Sequence, residues 1–145
     1  MKTTKLSANC ILIALLCAFS AGCDKPAKDK PAEKPTVQGR WSGLENGTTE
    51  MITLSFTSNR FAYSDARSNE IGSGTFVANE TVQPMQMDLT FEKIPAPEYV
   101  GKVGLALYEF QGNDLKIAGC EPGSTQRPTN LVSSPGVRVF TFKRE

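Results

Sequence analysis

The sequence predicts an all-β domain, a small antiparallel up-and-down barrel of about eight strands, and three observations carry that expectation. Apolar and polar residues alternate with a period of two over most of residues 38–145. Short runs of turn-forming residues separate the alternating segments, so that neighbours in sequence can pair as hairpins. Nothing in this stretch has the three-to-four-residue apolar spacing of an amphipathic helix.

The elements follow in order. Arg40 to Leu44 forms the first strand. Thr49 to Phe56 places Ile52, Leu54 and Phe56 on one face, and Thr57-Ser58-Asn59 turns the chain into a strand over Arg60 to Ser64. A fourth strand spans Glu70 to Ala78, with Gly72 and Gly74 as bend points. Met85, Met87, Leu89 and Phe91 alternate with Gln86, Asp88, Thr90 and Glu92, the pattern of a half-buried strand. Val103 to Phe110 is almost continuously apolar, and Gln111-Gly112-Asn113-Asp114 makes a tight turn into Leu115-Lys116-Ile117. Val137 to Arg144 closes the domain, leaving longer loops at Lys93 to Gly101 and Glu121 to Gly136. Pairing the last strand with the first removes the exposed edges that invite aggregation. A barrel of about eight strands is just wide enough to be filled by side chains or to hold one small ligand.

Composition narrows the function classes. The chain has 145 residues, 39% hydrophobic and 21% charged, with 16 Lys and Arg against 15 Asp and Glu and no His. A formal charge of +1 gives no electrostatic footprint for nucleic acid. The absence of His excludes Ser-His and Cys-His nucleophile pairs and every His-containing zinc site. No cofactor is expected.

The N-terminus reads as an export signal. Lys2 and Lys5 precede an apolar run from Cys10 to Phe19, about half of what a spanning helix needs, and small residues follow in Ser20-Ala21-Gly22-Cys23. Residues 1–22 are therefore expected to be removed. Cys10 and Cys17 lie in that segment. After Cys23, residues 23–37 are a run of Lys, Pro and acid with almost nothing to bury, expected to be a disordered tether. At about 3.1 Å per residue in extended polyproline geometry it spans up to roughly 40 Å. Removing Lys2 and Lys5 leaves 14 basic residues against 15 acidic, and the domain at 38–145 alone has 10 against 12, a net charge of −2.

Ser20-Ala21-Gly22-Cys23 resembles the lipobox of bacterial lipoprotein signals, with Ser20 where leucine is usual. That resemblance implies cleavage between Gly22 and Cys23 and acylation of Cys23, with chains such as palmitate. The partner it implies is the lipid bilayer, and more than one acyl chain is what makes such an anchor stable. Asp24 resembles a retention signal of the inner membrane. Cys120 is then left alone in the folded domain, without an internal disulfide, and reads as a small hydrophobe near a strand end or as a reactive thiol.

Gly39-Arg40-Trp41 is similar to the Gly-x-Trp motif that opens the first strand of lipocalin-like barrels. The resemblance implies that Trp41 seals the closed end under a cation of the last strand, for which Arg138, Lys143 and Arg144 are candidates. Over the whole domain the chain resembles an uncharacterised family of bacterial lipocalin-like domains, through Tyr108-Glu109-Phe110-Gln111-Gly112-Asn113-Asp114-Leu115-Lys116-Ile117 and the later Arg127-Pro128-Thr129. No activity comes with that resemblance.

Other constellations are thin. Gly72-Ser73-Gly74 lacks the helix and the Lys of a phosphate loop. Glu45, Glu50, Asp65 and Glu70 are able to gather at one barrel rim, but without the dense oxygen spacing of a calcium loop they read as solvated turn carboxylates. The expected function is non-enzymatic: a membrane-anchored envelope lipoprotein whose barrel binds a small apolar ligand, with Phe61, Tyr63, Met87 and Tyr108 as candidate contacts, or which binds a protein partner. One alternative is a filled barrel acting only through its loops, for instance as an inhibitor of a secreted hydrolase. The other is a hydrolase without histidine, which needs a Ser beside one of Lys93, Lys102, Lys116 and Lys143.

Overall fold

The computed structural model describes residues 34–145. The predicted export signal, Gly22, Cys23 and most of the tether lie outside these residues. Eight strands run in order: β1 Gly39–Glu45, β2 Met51–Thr57, β3 Arg60–Ser64, β4 Glu70–Asn79, β5 Met85–Lys93, β6 Val103–Gln111, β7 Asp114–Cys120 and β8 Val137–Arg144. A three-residue 3-10 turn, Pro97–Tyr99, sits in the loop between β5 and β6. Each strand pairs antiparallel with the next, and β1 pairs with β8, so the sheet is a closed up-and-down barrel.

The expected fold class is therefore the observed one, and the strand limits differ from expectation by only a few residues. The largest difference is β7, which continues past Ile117 to Cys120. Ala118, Gly119 and Cys120 have weak strand propensity, but they are held in register opposite Val139, Arg138 and Val137 of β8. The β6–β7 turn has two central residues, Gly112 and Asn113, and Gly112 takes φ +64, the sign that the first central position of a type II′ turn requires.

Two packed clusters explain the apolar pattern. The inner face of the barrel gathers Trp41, Leu54, Phe56, Phe76, Met87, Tyr108, Leu115 and Phe142, all buried. Outside the barrel, Leu107 of β6, Ala118 of β7 and Val139 of β8 are covered by Leu131 from the β7–β8 loop. β6 is thus buried on both faces, which is why its sequence runs apolar instead of alternating. Arg127 pins the same loop down. Its guanidinium donates to the backbone carbonyls of Met87 (3.0 Å) and Ala106 (2.6 Å) and pairs with Asp88.

The barrel has one tight end and one open end. At the tight end Trp41 is 1% exposed and its indole Nε1 donates to the carbonyl of Val37 at 2.7 Å. The Arg144 guanidinium lies 4.3 Å from the Trp41 ring centroid and donates to the carbonyls of Gln38 (3.0 Å) and Thr36 (2.6 Å). Val37 is itself a core residue, 3% exposed, so the fold begins one residue before the expected boundary of 38. Lys34 is tied to the same end by an ion pair with Glu80 at 2.6 Å. The incoming chain is thereby stitched to the closed pole.

Candidate functional site

The inward side chains change size along the barrel. On β6 the inward positions run Gly104, Ala106, Tyr108, from the open end to the closed one. On β7 they run Gly119, Ile117, Leu115 in the same direction, and on β4 Gly72, Gly74, Phe76. Large residues fill the closed half, while small ones leave the open half to be filled from elsewhere. Some of that space is taken by neighbours: a Cβ on Gly72 would meet the Tyr63 ring at 2.0 Å, and one on Gly104 would meet Phe91 at 3.0 Å. At Gly119 a Cβ would meet only the Cβ of Ala106, at 3.9 Å. That gap is part of a cavity of about 1080 Å³ that opens through the mouth of the barrel.

Its inner wall is apolar. Ile52, Leu54, Phe61, Leu89, Phe91 and Phe140 form most of it, with Ile94, Pro95 and Tyr99 of the β5–β6 loop leaning over one side of the mouth. Among the described residues no charged residue is fully buried. The polar side chains of the lining are Tyr63 and, toward the mouth, Thr48 and Thr49; Cys120, the last residue of β7, has the outward parity of Ala118 and borders the cavity near its backbone carbonyl. Burial raises the Tyr63 pKa, with nearby Arg138 opposing the shift, so Tyr63 stays a neutral phenol able to donate or accept one hydrogen bond.

Charge is confined to the rim. Glu45, Glu50, Asp65, Arg67, Glu121 and Arg138 all line the mouth. Arg138 grips Glu45 with two nitrogens, the Nε at 2.7 Å from Oε1, and its guanidinium lies 5.5 Å from the centroid of Phe140. That charge-assisted contact holds the Glu45 carboxyl below its ordinary value. Asp65 accepts from the backbone N–H of Arg67 (2.8 Å), the backbone N–H of Asn69 (2.9 Å) and the Asn69 side chain (3.0 Å), and these bonds, the Asn69 side chain foremost, keep it ionised. Of the four acids that the sequence reads as solvated turn carboxylates, Glu45, Glu50 and Asp65 do meet at one rim. Glu70 points elsewhere, paired with Lys93 at 3.1 Å, and among the described residues no group of three or more acids, cysteines or histidines is placed to hold a metal ion.

The candidate contacts divide between wall and floor. Phe61 and Tyr63 line the cavity. Met87 and Tyr108 do not: each is 0% exposed and belongs to the packed closed half, because their places on β5 and β6 put them below the small residues that make the void. Of the three candidate cations for Trp41 only Arg144 covers it. Lys143 has the opposite parity on β8 and pairs with Asp114 at 3.1 Å on the outside, and Arg138 shares the parity of Arg144 but sits at the other pole. Arg67, Tyr99 and Gly119 carry no signal in the sequence that marks them as cavity residues, since only the closed register brings them together.

No family model, no curated protein and no solved structure matches this chain.

Proposed function

We propose that the protein is an exported, lipid-anchored binding module that takes up a small apolar ligand in the open half of its barrel and performs no chemistry on it. The observation that carries this reading is the cavity of about 1080 Å³, walled by aliphatic and aromatic side chains and bordered by charge only at its mouth. Its size is at the upper end of small-molecule pockets. A chain of about ten carbons buried there gains roughly 8 kcal/mol from its methylenes, and the cost of association offsets much of that gain, so dissociation constants weaker than micromolar are expected. None of the four lysines of the domain lines the cavity, which counts against a serine–lysine hydrolase in it. The described chain enters the barrel at the closed pole, opposite the mouth.

Gly119→Leu is the direct test. The position has extended backbone and room for a side chain, so the variant places a leucine in the void without disturbing the wall. With the full-length protein in nanodiscs, an uncharged solvent-sensitive dye such as N-phenyl-1-naphthylamine should brighten with the wild type. With Gly119→Leu the dye should lose at least ten times in affinity while the melting temperature is kept. Equal binding by both would place the dye elsewhere, and no binding by either would leave recognition of a protein partner by the mouth loops. The anchor is tested by growth with a labelled fatty acid: label should enter the wild-type chain and be lost in Cys23→Ala. An unlabelled mature protein would remove the anchor from the proposal.

A further inference from the structure

The apolar wall says what enters the barrel, and the rim says which head group is left at its mouth. This step rests on the cavity reading above. Four carboxylates and two guanidiniums line the opening, a surplus of two negative charges. That equals the net −2 of residues 38–145, where 12 acids face 10 bases, so the mouth carries a charge imbalance as large as that of the whole domain. The cations there are poorly disposed toward a ligand. Arg138 spends its fork on Glu45 and its face on Phe140. Arg67 is exposed and follows Asp65, an acid held ionised by three hydrogen bonds. Glu50 and Glu121 form no ion pair among the described residues. Deeper in, a carboxylate ligand would meet no cation at all, because the charged residues lining the cavity lie at its mouth and the inner wall has only the Tyr63 hydroxyl as a polar side-chain group.

We propose that the cavity is charge-selective, accepting aliphatic amphiphiles with a cationic head most readily, uncharged ones next, and anionic ones such as fatty carboxylates least. Attraction between a ligand ammonium and the surplus acids is attenuated by water at the mouth but not abolished, and the same field opposes a carboxylate. Insertion of the chain supplies the affinity, and the head supplies the choice.

Displacement of the uncharged dye by decylammonium, decanol and decanoate separates the effects, since the three share one chain length. The measurement uses the full-length protein in nanodiscs of zwitterionic lipid, with Gly119→Leu protein as the blank and free ligand concentrations determined. At low ionic strength the order should be decylammonium, decanol, decanoate, with about tenfold between the ends. The spread should shrink in 1 M salt and in the double variant Glu50→Gln, Glu121→Gln. Decanoate displacing the dye as well as decanol does, or a spread indifferent to salt and to the double variant, would overturn the charge selectivity while leaving the apolar cavity intact. Failure of all three ligands to displace a dye that does bind would remove the amphiphile class itself, and failure of the dye to bind would remove the cavity reading.

Discussion

Tyr108 is buried to 0% exposure, and its hydroxyl has no hydrogen-bond partner among the described residues. Burial, and secondarily the nearby Glu80 carboxylate, push its pKa up to about 12, so the group remains protonated at any physiological pH. A buried hydroxyl without a partner costs desolvation and returns nothing. The ring, by contrast, packs edge-on against Phe110 with centroids 5.9 Å apart. Tyr108→Phe should therefore leave stability unchanged or raise it by up to about 1 kcal/mol, read as the denaturation midpoint at constant m-value. A loss of more than about 1 kcal/mol would mean that the hydroxyl is bonded to Glu80 in solution. The tryptophan seal shows what residue-level reading can and cannot reach. A period of two from Phe140 and Phe142 separates Lys143 from Arg138 and Arg144 on the sequence alone. Choosing between the two arginines requires the β1–β8 register, which sets Trp41 opposite Arg144 and Glu45 opposite Phe140.

Among the elements, the loop from Glu121 to Gly136 departs most from what its composition says. Gly, Pro, Ser and Asn dominate it, which marks a loop but says nothing of where the loop lies. It is fastened on the outside of the barrel by Leu131, against Leu107, Ala118 and Val139, and by Arg127, whose side chain is 21% exposed. The Arg127 bonds to two strand carbonyls fasten the loop as a disulfide would, in a chain whose one cysteine among the described residues is unpaired. Arg127→Met keeps the aliphatic stem and removes the donors. It should cost about 1–3 kcal/mol and raise amide hydrogen exchange across 121–136 while leaving exchange in the paired strands unchanged. An unaltered melting temperature together with unaltered exchange in the loop would show that Leu131 alone holds it. The doubly apolar strand β6 was legible as unusual before the fold was known, and the loop that covers its outer face is the reason.

At the scale of the whole molecule, the barrel is two half-barrels with different tasks. The closed half, under Trp41 and Arg144, is packed and receives the incoming chain; the open half is hollow and faces solvent with its acids. Strand number, order and most strand limits were readable from alternation and turns, because a closed meander pairs each strand with its sequence neighbours and leaves little topological choice. The hollow was not readable. Gly72 and Gly74 read as bend points and Gly104 and Gly119 carry no signal of their own, and only the closed register aligns the four toward one end, where Tyr63 and Phe91 fill some of the space and leave the rest empty. The sequence reads Glu45, Glu50 and Asp65 as solvated turn carboxylates and says nothing of Glu121, so their gathering at the mouth and their surplus over the two arginines emerge only from the assembled barrel.

Heteronuclear NMR of the isotope-labelled protein during titration with decanol tests the central claim most directly, because it reports where an apolar chain goes. Saturable shifts should cluster at the amides of Ala106, Ile117, Gly119 and Phe140, with the closed-pole amides of Trp41 and Leu115 and the outer-face amide of Val139 unmoved, and Gly119→Leu should abolish them. Shifts confined to the outer surface, or shifts that persist unchanged in Gly119→Leu, would contradict a ligand cavity in the open half of the barrel.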